Sequence, residues 1–218
     1  MKLLSISLAR SLWLFNLADL NPRGKNVGPP LFEYLLKKYR FAQAPKTKEE
    51  LDDTKGIVFL NGAFEPEQGD PIQIALKIFN WGIAAETRSS TQDSDAFILE
   101  VLEWTTKHFS LPPYEAVLRS KAYLSEVYVH TERSLHVLNP KLEHITSRLN
   151  AEVKGHGDLS YQPAGIMFWN DPSINQSFPF RFERAEGVGF KENRYYSIAP
   201  LGTEAHLTLL DELEDLLS

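Results

Sequence analysis

Gly56-Ile57-Val58-Phe59-Leu60-Asn61 returns 109 residues later as Gly165-Ile166-Met167-Phe168-Trp169-Asn170. Gly, Ile, Phe and Asn keep their places in both hexamers, and the spacing is half of the 218-residue chain. A second echo runs ahead of each copy, Leu20-Asn21-Pro22 and Leu138-Asn139-Pro140. A helix start at Ser94 matches one at Thr203 with the same offset. The chain reads as a unit written twice.

Working outward from the hexamers, the periodicity supports this reading. Residues 3–15 are rich in β-branched and aromatic side chains and predict one or two strands. Asn21–Lys25 and Gly28-Pro29-Pro30 predict a loop. Leu31, Leu35, Leu36 and Tyr39 then fall at helical spacing, with Lys37, Lys38 and Arg40 at the C-terminal end, where the helix dipole favours cations. Strands are expected at 56–64, 72–78 and 83–88, followed by a helix to about His108 with Phe97, Ile98, Val101, Leu102 and Trp104 on one side. The second half repeats the order. It has a strand at 122–130, a helix opened by Asn139-Pro140, the repeated strand 165–170, an alternating Phe178-Phe180-Phe182 strand, a strand near 195–198, and a last helix with a Leu207-Leu210-Leu213-Leu217 stripe. The predicted fold is therefore α+β, two similar β-α-β-β-(β)-α halves packed as one unit, with boundaries at 1–112 and 113–218. A tandem ferredoxin-like duplication is one form this order could take.

Composition narrows the class of function. The chain has no cysteine, which removes disulfides, thiolate nucleophiles, Cys-based zinc sites and iron–sulfur ligation together. Met1-Lys2-Leu3-Leu4 opens like a signal peptide, but Arg10 interrupts the apolar run and no small-x-small cleavage site follows, so the stretch reads as a strand. No run approaches the ~18 apolar residues of a membrane span, and the expected location is cytoplasmic. Net charge is −6, about −1 over residues 1–109 and about −5 over 110–218, which suits a basic partner better than nucleic acid.

Catalytic signals are weak. None of His108, His130, His136, His144, His156 and His206 forms a pair with metal-ligand spacing; His130 and His136 flank a turn. Gly155-His156-Gly157-Asp158 puts a His and an Asp on a loop, which is also the composition of an ordinary connection. Glu186-Gly187-Val188-Gly189-Phe190 leads into a strand rather than a helix, so it reads as a hairpin turn and not as a phosphate cradle. No cofactor and no metal are expected.

Two surfaces stand out as candidate binding sites. Arg181, Arg184, Lys191 and Arg194 interleave with Phe182, Phe190, Tyr195 and Tyr196, the pattern of a stacking platform for single-stranded nucleic acid. Glu183, Glu186 and Glu192 cut the charge of that strip to about +1, and cross-strand Arg–Glu pairs explain it more simply. Asp211, Glu212, Glu214 and Asp215 crowd the C-terminal end of the last helix, where the dipole disfavours carboxylates, as a surface for a basic partner would.

The expectation weighs against an enzyme and toward a protein-binding protein, either an immunity or inhibitor protein or a subunit of a larger assembly. The alternatives are an RNA-binding or RNA-processing protein of tandem ferredoxin-like build, using His156 or the Arg181–Tyr196 strip, and an enzyme with a cleft between the halves.

Overall fold

The structure, a computed structural model, describes residues 1–66, 69–133, 135–138, 140–153, 161–171, 173 and 178–217, apart from the side chain of His136. His156 and its glycine loop lie outside the described residues, as do Asn139 and the side chain of His136. The elements are β1 (Lys2–Leu14), α1 (Leu17–Leu20), α2 (Gly28–Tyr39), β2 (Ile57–Phe64), β3 (Ile72–Phe79), β4 (Gly82–Thr87) and α3 (Thr91–Phe109), then β5 (Ser120–His130), α4 (Lys141–Glu152), β6 (Gly165–Phe168), β7 (Phe180–Arg184), β8 (Arg194–Ala199) and α5 (Thr203–Leu216). Among the described residues the strands hydrogen-bond in the order β2-β3-β4-β1-β5-β8-β7-β6, in an antiparallel sheet. The chain is α+β, as its periodicity predicts. Among the described residues three consecutive strands lie between α2 and α3 and three between α4 and α5, where a ferredoxin-like unit has two.

Contacts divide the chain into two compact units. One comprises Leu8–Ser125 with Leu201–Thr203, the other Met1–Ser7, Glu126–Pro200 and Glu204–Ser218. Along the chain the divisions between units fall within β1, within β5 and on either side of Leu201–Thr203.

In the first unit β2, β3 and β4 form a meander, and β4 pairs with β1 from Ala9↔Thr87 to Leu14↔Gly82. α2 starts earlier than its leucine stripe suggests, because Pro29 and Pro30 occupy its first turn, where their missing N–H groups have no helical partner to lose. Arg40, left-handed at φ 51°, ends it by donating its N–H to the Leu36 carbonyl at 3.1 Å. α3 begins at Thr91 and not at Ser94. Ser90 is its cap, accepting the Asp93 N–H at 3.0 Å and donating to the Asp93 carboxylate at 2.7 Å. Leu35 and Tyr39 of α2 and Phe97, Ile98 and Val101 of α3 are buried on Phe59, Ile74 and Leu76 of the sheet.

In the second unit Val127, Val129, Phe182 and Tyr195 form the core with Leu210 and Leu213 of α5 and with Leu217 just beyond it. The expected leucine stripe of the last helix is thus the face that it buries. α4 begins at Lys141, one residue beyond the Pro140 expected to open it.

Candidate functional site

Both hexamers lie on strands that pair antiparallel with the strand that follows them, and their opposite exposure defines the site. Ile57 pairs with Ile78 and Phe59 with Leu76; Ile166 pairs with Phe182 and Phe168 with Phe180. Both copies are the outermost strands of their meanders. Directly paired residues share a face, so Phe168 and Phe180 lie on the side where Phe182 meets α5, as Phe59 lies on the side covered by α2.

Phe59 is fully buried, with Phe32 of α2 edge-on at 5.3 Å and Phe41 at 5.4 Å. Phe168 is 65% exposed and touches the Phe180 ring at 5.8 Å. Trp169 and Phe178 are also exposed, and Met167 is exposed on the opposite face of β6. The helix that follows β5 does not supply a cover. α4 has no buried residue, and its apolar stripe of Leu142, Ile145 and Leu149 is open to solvent, with Ile145 60% exposed. Among the described residues β6 pairs with β7 alone, leaving one edge of its backbone free to hydrogen-bond. The second unit therefore presents large apolar side chains in two places, beside a strand edge that has no partner among the described residues and along a helix.

The two hexamer glycines have different physical reasons. Gly56 has φ +95°, and a side chain there would also run into the Phe79 ring. Gly165 has no such backbone; a Cβ there would come 2.7 Å from the Phe182 carbonyl oxygen, so its smallness lets β6 approach β7. Asn61, at φ 56°, takes the left-handed conformation that Asn tolerates, at the β2–β3 register shift between Phe59 and Gly62.

The basic-aromatic strip is split by the strand pleat. Tyr195 is fully buried and stacks on Phe182 at 4.6 Å. Arg184, directly opposite Tyr195, is half-buried; it donates to the Phe190 carbonyl at 2.9 Å and lies 4.5 Å over the Phe190 ring. Tyr196 points to the other face, 5.4 Å from Tyr128; burial, then a hydrogen bond to Glu126, raises its pKa. Arg181 shares that face and pairs with Glu183 at 3.8 Å, and Arg194 pairs with Glu192 at 3.6 Å. These pairs are neighbours along the chain, not the cross-strand partners expected. Lys191 is exposed in the turn before β8. The strip thus does not form one stacking surface.

The acidic cluster of α5 also divides. The N-terminal ammonium of Met1 pairs with both Asp211 and Glu214, and Glu214 accepts the Thr131 hydroxyl as well. Burial raises the Glu214 pKa, but the hydrogen bonds from the ammonium and Thr131 outweigh it, and the net shift is downward. Glu212 and Asp215 are exposed.

His206 is the residue that sequence reasoning passed over. It is fully buried, its Nε2 lies 2.9 Å from Ser197 Oγ, and burial pushes its pKa down to about 4. The pair has the elements of a nucleophile and base. Ser197, however, already donates its proton to the Arg181 carbonyl at 2.8 Å. This assigns the imidazole proton to Nε2 and leaves Nδ1 without a partner among the described residues. With neither side chain accessible, the pair is a structural link between β8 and α5.

Comparison with protein-family models and with curated proteins finds no match. No helix among the described residues is long and apolar enough to cross a membrane.

Proposed function

We propose that this protein works by binding another protein through the uncovered apolar surface of its second unit, as an inhibitor or immunity protein or as a subunit of a larger assembly. One observation carries the reading: Phe168 is 65% exposed at a position whose counterpart, Phe59, is fully buried under a helix. Exposed apolar groups rimmed by polar residues mark interaction sites, and aromatic side chains are the usual anchors of protein interfaces. The free edge of β6 can in addition pair with an extended segment of the partner. The negative charge of residues 110–218 favours a partner with basic groups around an apolar centre. Recognition of single-stranded RNA, the second reading, would need the Arg181–Tyr196 strip as a platform, and Tyr195 is buried in the core.

The test compares wild type with the Phe168→Ser/Trp169→Ser double variant as baits in native lysate. A stoichiometric protein held by wild type and lost from the folded variant supports the reading. Losing two aromatic anchors is expected to weaken binding by about thirtyfold or more. Equal capture by both baits, or no protein at all, refutes it. A salt-sensitive RNA in the eluate would move the assignment to nucleic acid.

A further inference from the structure

The first unit contains a cavity of about 260 Å³ between the sheet and its helices. Phe15, Ile57 and Ile83 form the sheet side, Val101 and Leu102 of α3 the helix side, and Leu31 of α2 also lines it. The wall is almost wholly apolar. Its Thr105 hydroxyl already donates to the Val101 carbonyl at 2.6 Å and so makes no demand for water.

The charged residue in the wall is Lys25, half-buried, on the loop between α1 and α2. Its Nζ donates to the carbonyl oxygens of Phe109 and Ser110, the latter at 3.0 Å. An ammonium has three N–H donors, so one remains. The end of α3 supplies about half an elementary negative charge, which leaves about half of the lysine charge unmatched. No carboxylate among the described residues pairs with Lys25, and the first turn of α2 has no acidic residue.

We propose that this cavity binds a small monocarboxylate with a hydrocarbon body, its carboxylate on Lys25 Nζ and its apolar part among Phe15, Val101 and Leu102. A dry cavity of about 150 Å³ lined by Leu, Ile and Phe takes benzene, so by volume this one holds roughly ten carbons. A cationic head group would set like charges side by side, and a neutral one would leave the ammonium unanswered. The site is independent of the protein-binding surface and lies in the other unit.

Titration calorimetry and thermal unfolding of the full chain with decanoate, decanol and decylamine test it. Decanoate is expected to raise the melting temperature and to bind about tenfold more tightly than either of the others. Lys25→Met removes that preference while decanol binding is unchanged, and Lys25→Arg retains it. Leu31→Phe, which fills the cavity from a partly exposed position, weakens all three ligands. The proposal is overturned if wild type binds none of them, if Lys25→Met keeps the carboxylate preference, or if a folded Leu31→Phe binds as wild type does. Should Leu31→Phe not fold, the head-group comparison between wild type and Lys25→Met still decides the matter.

Discussion

Truncating the same phenylalanine in each hexamer tests the asymmetry on which the protein-binding surface rests. Phe59 is fully buried, with aromatic neighbours at 5.3 and 5.4 Å. Phe59→Ala removes a full side chain from a packed core and leaves a cavity, at a cost of about 3–5 kcal/mol. Phe168 is 65% exposed, with the Phe180 ring at 5.8 Å as its one ring neighbour among the described residues. Phe168→Ala forfeits little burial and one aromatic contact, about 1 kcal/mol at most. Urea denaturation followed by circular dichroism reads the difference. At a slope of about 2 kcal/mol per molar, the first variant moves the midpoint down by about 2 M and the second by about 0.5 M. If Phe168→Ala costs as much as Phe59→Ala, the patch is covered in solution and the reasoning fails. With a partner in hand the ranking should reverse, since Phe168→Ala would weaken binding and Phe59→Ala would act only through folding.

Three further outcomes follow from named contacts. His206 has a pKa of about 4 when folded, against about 6.5 in an unfolded chain, so the unfolded state takes up the proton first as pH falls. Its contribution is complete above pH ~6.5 and is lost by about 1.4 kcal/mol per pH unit on the way down to pH ~4, about 3 kcal/mol in all. Denaturation midpoints against pH should show this slope, and His206→Gln should flatten it even if that variant is less stable throughout; an unchanged slope refutes the assignment. Asp95 accepts from Ser11, from Trp13 Nε1 at 2.6 Å and from Tyr123 at 2.9 Å, with Lys121 at 3.6 Å. Burial first, and then the hydrogen bond to Asp95, raises the Tyr123 phenol to about 12; Asp95→Ala strands the buried Ser11 and Trp13 donors, at a cost of about 3 kcal/mol, and should remove only the Asp95 part of that rise, which a phenolate absorbance titration checks. Gly165→Ala, forced against the β7 backbone, is expected to detach β6 with a loss of about 1–3 kcal/mol, measured by hydrogen exchange of the 165–168 amides.

The sequence by itself determined the elements and their order. Alternation marks β3, β5 and β7, and the stripes of α3 and α5 are the faces those helices bury, because side-chain direction along a strand or helix is a local property. The repeated hexamers likewise marked the two strands β2 and β6. The pleat could also have separated Tyr195 from Tyr196, since neighbours on a strand point to opposite faces. What only the tertiary structure decided is coverage. Leu142, Ile145 and Leu149 of α4 have the spacing of a core-facing stripe, and Phe168 stands where Phe59 stands, yet these side chains are exposed and Phe59 is not. Whether an apolar face is buried depends on which distant segment packs on it, and no local pattern records that. The same holds for His206, whose pKa is set by residues that approach it only once β8 and α5 have packed.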